Sequence, residues 1–313
     1  MKIIEIGTEE AHAHWRLSSE DNIFTNPKVL FHLSQKVRWF AAVQGDHIKC
    51  IWPVCWNESG EIVKPNFTYW VGPIWSQSRD KVAAHSHLSE NSNVYKAFVD
   101  FFEENNFFLN FEMPIKDHDV RFFDWWNYKL DKKSEFIISP RYSARLDLSK
   151  FKMEDYRRNR KRQLRDFKDG DFRNSHELPD PEDLMKLYER EIDEKVSPEV
   201  QSSLLGLMKI AEEGAGSCVS VYSTITEELC GFSLVLSSGK QTNHVLNLTS
   251  VESKKCGLHA WLTNCTIQNA IAAGSKIFDF NGANSPNRGD DKHSYGAFYT
   301  LYFSIRQQQS EVF

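Results

Sequence analysis

The spacing of apolar positions divides the chain into short, clearly bounded elements. Isoleucines 3, 4 and 6 around Glu5 mark residues 2–6 as a strand, and residues 9–18 read as a helix. Asn26-Pro27 pairs a capping side chain with a proline at the first helical position, which opens a helix to about residue 34. Strands over 38–43 and 48–56 flank the tight turn Gln44-Gly45-Asp46, and a third is predicted over 67–70, stopped by Val71-Gly72-Pro73. Phe98, Phe101 and Phe102 recur at helical spacing and place a helix over 94–105, with a strand after it at 107–111. Between 116 and 140 the periodicity fades, yet Phe122, Phe123, Trp125, Trp126 and Tyr128 cluster there. A solvated linker rarely carries so many large aromatics, so this stretch is expected to pack on the body of the protein.

The second half repeats the order. A strand over 142–148 precedes helices over 152–167, 180–194 and 198–213, with Pro181 just after the capping Asp180 and Gly214 closing the last. Strands over 217–225, 229–236 and 244–249 lie in hairpin spacing. A long helix over 256–273 ends at Gly274, then come a strand over 276–280, a Gly/Asn/Pro loop and a strand over 298–306. Both halves thus show three hairpin-linked strands, a helix and a further strand. That order predicts a mixed α/β fold, with mainly antiparallel central sheets and flanking helices, in two domains: 1–140, including the aromatic connector, and 141–313.

Composition narrows the function. A net charge of −5 excludes a uniformly basic nucleic-acid binder but leaves room for a local basic patch. Cysteines 50, 55, 218, 230, 256 and 265 form no CxxC pair, and no histidine spacing suggests zinc. A reduced, cytoplasmic protein with no metal and no permanently bound cofactor is expected. Residues 1–15 lack the apolar stretch of a signal peptide. Residues 256–275 carry no Asp, Glu, Lys or Arg but include Asn264, Gln268 and Asn269, so they read as a buried helix rather than a membrane span. His12 and His14 near the terminus, and His85 and His87 in a polar loop, read as surface residues. The chain holds no Gly-x-Ser-x-Gly elbow, P-loop, HExxH or Rossmann fingerprint.

Three stretches carry candidate chemistry. The first is Arg157-Arg-Asn-Arg-Lys-Arg-Gln-Leu-Arg165. At about 100° per residue, Met153, Tyr156, Leu164 and Phe167 share a narrow helical face that also takes Arg160 and Gln163. Arg158, Lys161, Arg162 and Arg165 point elsewhere and read as solvated. Arg160 on an apolar face needs an anion, either a substrate in a groove or an internal carboxylate. The second stretch, 249–259, joins a strand to a helix and holds Lys254 and Lys255, where helix-start N–H groups suit an anion; an ordinary connecting loop is the alternative. The third runs from Asp279 to Gly296. Asx turns account for Asn281 and Asn284, whereas Lys292 and Tyr295 sit just before the aromatic strand that starts at Phe298, where a side chain can be rigidly aimed.

Phe278-Asp279-Phe280-Asn281-Gly282-Ala283-Asn284 followed by Asp291-Lys292-His293-Ser294-Tyr295-Gly296 resembles the DF-x-G … FK-x-x-FG ending of FemABX-like acyltransferases, a branch of the GNAT fold. Arg157, Asn159, Arg160 and Lys161 resemble the basic helix that opens that family's second domain, and Phe24-Thr-Asn-Pro27, Trp52-Pro53 and Gly72-Pro73-Ile74 resemble its first. Asp291 and Tyr295 stand where the family has phenylalanines, and His259 where the acyl-CoA loop ends on a small residue. The resemblance implies two GNAT-like domains in tandem and transfer of an acyl group, from acyl-CoA or a related donor, to an amine of a cell-envelope or polysaccharide precursor. It assigns Lys292 the stabilisation of charge on the carbonyl oxygen, with its ammonium aimed into a cleft between the halves, and Tyr295 a proton relay. It places the donor against Lys254, Lys255, Gly257, Leu258 and His259, and the acceptor against Arg157, Arg160, Lys161, Asn281 and Asn284. Two other functions fit the same residues: an aminoacyl-tRNA-dependent aminoacyltransferase acting on a peptidoglycan precursor, with tRNA on the basic helix, and a non-catalytic module that binds an anionic glycan.

Overall fold

The computed structural model describes residues 1–18, 22–76, 83–117, 119–128 and 134–309. The chain forms two compact units, Met1–Arg141 together with Leu301–Phe313, and Tyr142–Thr300. The last residues, read from sequence as part of the second half, thus cluster with the first.

In the first unit a four-stranded antiparallel sheet has the order β1 (Lys2–Ile6), β2 (Lys36–Gln44), β3 (His47–Trp56) and β4 (Ile74–Trp75). Helices α1 (Thr8–Leu17) and α2 (Pro27–Leu33) connect β1 to β2, and Asn26 caps α2 by accepting from the Lys28 amide. Helix α3 (Ala84–Glu104) is longer than the sequence suggested and takes in the stretch read as a polar loop around His85 and His87. It lays Phe98 and Phe102 against Trp52, whose ring centroid lies 5.2 and 5.9 Å from theirs and 4.7 Å from that of Phe111. Phe111 belongs to β5 (Asn110–Glu112). Residues 121–126 form α4 (Arg121–Trp126), which adds Phe122, Phe123 and Trp126 to the core and leaves Trp125 exposed. Each fully buried ring contributes on the order of 2–3 kcal/mol.

The strand predicted over 67–70 does not form. Phe67 and Trp70 have φ of 59° and 55°, outside the extended region. Buried Glu112 accepts from the Trp70 amide at 2.9 Å and from Lys64 Nζ at 3.0 Å, so side chains satisfy what a strand partner would have satisfied. Gly72 follows, where a Cβ would stand 2.5 Å from the Glu112 carbonyl oxygen.

The second unit is a sheet in the order β6 (Ser134–Asp147, from Tyr142 on), β11 (Ile277–Gly282), β10 (Gln241–Thr249), β9 (Leu229–Ser238), β8 (Gly216–Ser223) and β7 (Phe172–Ser175). All of these pairings are antiparallel except β10 with β11. Helices α6 (Pro181–Ile192) and α7 (Pro198–Ile210) precede β8, and Asp180 caps α6 as expected. The final strand, β12 (Phe298–Gln309), starts in this unit and continues into the first. No helix among the described residues is long and apolar enough to cross a membrane.

Three predicted elements of this unit are corrected. The helix over 152–167 is a 3-10 turn, Met153–Asp155, followed by α5 (Arg158–Asp166). Arg157 between them is extended and gives its amide to the Ser294 carbonyl. The helix over 256–273 starts later, as α9 (Leu258–Ala272) after the left-handed Gly257, whose φ is 87°, and a short unpredicted helix, α8 (Val251–Lys255), precedes it. The Gly/Asn/Pro loop contains a helix, α10 (Pro286–His293), which has a proline at its start but no apolar periodicity to announce it.

Candidate active site

The parallel ladder between β10 and β11 is three residue pairs long and ends at Asn243 opposite Asp279. Phe278 and Phe280 sit in the apolar core around Ala144, Leu146 and Tyr295, while Asp279 between them is fully buried as a carboxyl. It accepts from Ser143 Oγ at 2.5 Å and from the Asn281 amide at 2.8 Å, and Arg145 Nε lies 3.1 Å away. Burial pushes its pKa up despite the pull of Arg145. Asn281 turns left-handed, with φ of 59°, and gives its side-chain amide to the His244 carbonyl at 2.8 Å, joining the strands past the end of their ladder.

Helix α10 carries Lys292 and Asp291 against this strand end. Lys292 Nζ donates to the carbonyls of Phe280, Asn281 and Gly282 at 2.7, 3.0 and 2.6 Å. An ammonium has three N–H groups, so these bonds use all of them. Burial pushes the Lys292 pKa down to about 8, helped by Arg288 and opposed by Asp279 and Asp291. Asp291 is held instead by Arg160, through a short ion pair, and by His259, whose Nε2 lies 3.5 Å from its Oδ2. Burial alone would raise the Asp291 pKa; His259, Arg160 and Lys292 outweigh it and hold the carboxyl below its ordinary range.

Arg160 is placed as expected, although Met153 and Tyr156, read on the same helical face, lie before its helix and Met153 is exposed. The Arg160 side chain is 12% exposed and faces an internal carboxylate, whereas that of Arg165 is 73% exposed. Arg160 also donates to Ser294 Oγ at 2.6 Å and Gln163 Oε1 at 2.8 Å, and its guanidinium lies 5.1 Å from the centre of the Tyr295 ring. Tyr295 is fully buried, and its hydroxyl makes no well-formed hydrogen bond among the described residues. Burial pushes its pKa up to about 12, with Arg160 and the Thr263 hydroxyl pulling the other way.

No family model matches the chain, and no curated protein does. Solved structures do. A FemX crystal structure aligns over 97% of both chains with a TM-score of 0.61 at 10% identity. L-PGS from Bacillus licheniformis aligns over 98% of this chain and 94% of its own, with a TM-score of 0.61 at 14% identity. A tandem GNAT protein from the clavulanic acid biosynthesis pathway aligns over 98% of both, with a TM-score of 0.58 at 8% identity. The chain has a FemABX-like GNAT fold.

Within this GNAT-like architecture, the stretch expected to hold the donor is largely committed to the protein itself. Ser250 caps α8 through Ser253, and Lys254 Nζ is paired with Glu191 at 2.5 Å. A Cβ on Gly257 would stand 2.9 Å from the Gln163 carbonyl oxygen, so α5 closes over the start of α9. Leu258 is core, Lys255 is exposed, and His259 faces Asp291. Of the residues expected to take the acceptor, Arg157 pairs with Asp290 at 2.6 Å on the surface and Lys161 donates to the Glu154 carbonyl. Asn284 accepts from the Tyr142 amide at 2.7 Å, and Asn281 braces the strand end.

Sequence reasoning missed Asp279, Arg145 and His244 as partners in this cluster. His244 is buried beside Phe278, with Ser233 Oγ 2.8 Å from its Nε2, and burial pushes its pKa down to about 3. The available signal was charge complementarity between the basic run at 157–160 and the acidic pair Asp290-Asp291. Among the described residues no group of His, Cys, Asp or Glu is arranged to hold a metal ion.

Proposed function

We propose that this chain transfers an acyl group from an activated donor to an amine of a cell-envelope or polysaccharide precursor. The observation that carries the reading is the linked set Arg160–Asp291–His259, gathered beside Lys292 where the β10–β11 ladder ends in a GNAT-like unit. Acyl transfer to nitrogen puts negative charge on the carbonyl oxygen and needs a fixed positive field near it. Lys292 supplies charge in a surrounding of low polarity, where it acts more strongly than in water. Its three carbonyl acceptors hold it in one place, so its contribution is the field and the set of the 280–282 backbone. Tyr295, whose buried hydroxyl stays protonated at neutral pH, backs the Arg160 guanidinium with its ring face and adds no charge to that side of the cluster. Arg157 and Lys161 lie on the exposed side of the basic segment, where phosphates or a sugar acid would be held.

The state of the expected donor loop favours one version of this chemistry. Lys254 is engaged by Glu191 and Gly257 lies under Gln163, which leaves little for a CoA pyrophosphate. An aminoacyl ester of tRNA needs no such cradle, and the outward Arg158 and Arg162 would meet its backbone phosphates.

A donor screen separates the alternatives. Acetyl-CoA and alanyl-tRNA are each offered with a panel of amino sugars and lysine-containing peptides. Turnover with either donor supports the transferase, and which donor it is settles the version. Binding of an anionic glycan without turnover of any donor would make the chain a binding module. In an active enzyme, Lys292→Ala is expected to lower kcat by about 10²-fold or more; a rise in KM at unchanged kcat would mean that Lys292 only positions substrate.

A further inference from the structure

The acceptor nitrogen must lose a proton during acyl transfer, and none of the residues assigned above takes it. Four groups in the cluster are unsuited to that task. Lys292 has every N–H engaged by a carbonyl. Tyr295 is already protonated at neutral pH. Asp279 is sealed in the sheet with Arg145 and Ser143. His244 is buried, with Ser233 on its Nε2.

His259 differs on each count. Its side chain is 26% exposed, so a substrate can reach it. It stands in the first turn of α9, where its carbonyl accepts from Thr263 Oγ1 at 2.9 Å. Its Nε2 edge faces Asp291 Oδ2 at 3.5 Å, and Asp291 is itself fixed by Arg160. An anionic acceptor at Nε2 favours the tautomer with its proton there, which leaves the Nδ1 lone pair free. Asn247 Nδ2 lies 3.5 Å from both ring nitrogens, so evenly shared that it commits neither.

We infer that His259 is the base that takes the proton of the acceptor amine, with Asp291 orienting its ring and Arg160 fixing Asp291. This rests on the transferase reading. The amine nitrogen bonds to the donor carbonyl carbon, and the C–S or C–O bond to the leaving group breaks. The proton shed by nitrogen moves to His259 and then to the leaving sulfur or oxygen, so no outside reactant is needed. The titratable groups that face the His259 ring are Asp291 on α10 and His244 on β10, with Arg160 of α5 and Lys292 of α10 acting on Asp291.

The experiment is the pH profile of kcat/KM for wild type, His259→Gln and Asp291→Asn, using whichever donor of the screen is turned over and checking folding by thermal melt. Wild type should lose activity on the acid side as the base is protonated. His259→Gln should lower kcat by about 10²–10⁴-fold and abolish that acid limb, with little change in KM. Asp291→Asn should lower kcat by less than His259→Gln does, with KM unchanged and the acid limb kept, because the ring loses its orienting partner and the base remains. Wild-type turnover together with an unchanged limb and kcat in folded His259→Gln would reduce His259 to a pin between α9 and α10 and leave the transferase standing. Absence of turnover with every donor would end the transferase reading, and this inference with it.

Discussion

A buried carboxylate anchors an irregular stretch of backbone in each unit, and the two stretches are finished differently. In the first unit Glu112 accepts from the Trp70 amide and from Lys64, beside a left-handed Trp70. In the second, Asp279 accepts from the Asn281 amide and lies against Arg145, beside a left-handed Asn281. Around Glu112 the set closes on itself, and the surrounding core is rings: Trp52, Phe98, Phe102, Phe111 and Phe123. Around Asp279 charge continues outward through Lys292, Asp291 and Arg160 to a histidine that solvent reaches. The same device, a carboxylate bonded to the amide of a left-handed turn, serves shape alone in one place and supports a chemically equipped edge in the other. What separates them is how far the charge runs: Glu112 meets the single lysine Lys64, whose side chain is 30% exposed, whereas the network at Asp279 passes through Lys292 and Asp291 to Arg160 and His259.

The contrast can be broken most forcefully at the ring core. Trp52→Ala should cost about 3–5 kcal/mol of stability. Its denaturant midpoint should fall by the same amount at pH 5 and pH 8, because no titrating group is involved. A loss that changed with pH would show that the first unit also depends on buried charge.

Within the second unit, Arg160→Ala should cost about 2 kcal/mol, below the range for a fully buried pair because Asp291 is partly exposed. Arg165→Ala, five residues along the same helix, should change stability by no more than about 0.5 kcal/mol. The two also differ in their response to acid. Asp291 has a carboxyl pKa held below that of the unfolded chain, so its contribution is present above about pH 4 and is lost as pH falls through the lowered value. Urea unfolding at pH 3 and pH 7 should show the Arg160→Ala loss shrinking at pH 3; equal losses at both would separate Arg160 from Asp291.

A pH-dependent difference sharpens the role of Lys292. The folded chain releases this proton near pH 8 and an unfolded lysine near about pH 10.4. In between, the unfolded chain binds more protons, so the residue's contribution to stability rises with pH. The slope is at most about 1.4 kcal/mol per pH unit. Wild type should therefore gain on Lys292→Met between pH 8 and pH 10. A flat difference would mean that the ammonium is solvated and does not sit among the carbonyls.

The sequence by itself determined the elements whose signal is local. The turn at Gln44-Gly45-Asp46 and the caps Asn26 and Asp180 each act within a few residues, and the ring spacing of α3 follows one helical period, so each is visible along the chain. The ending Asp279–Gly296 pointed to the fold because its residues are read together, and Arg160 announced an anionic partner because an apolar helical face cannot hold an unpaired guanidinium. Only the tertiary structure decided which anion that is. Arg160 and Asp291 lie 131 positions apart, and nothing local sets their distance. The same holds for α10, which has no apolar stripe and gains its place from Lys292 reaching the β11 carbonyls and from Tyr299 Oη donating to the Gly289 carbonyl. The predicted strand over 67–70 failed for a matching reason: Glu112, more than 40 residues away, bonds the Trp70 amide and holds the chain in a conformation its own residues would not choose. Propensity and periodicity act over one or two turns, whereas buried charge is satisfied by whatever partner folding brings alongside.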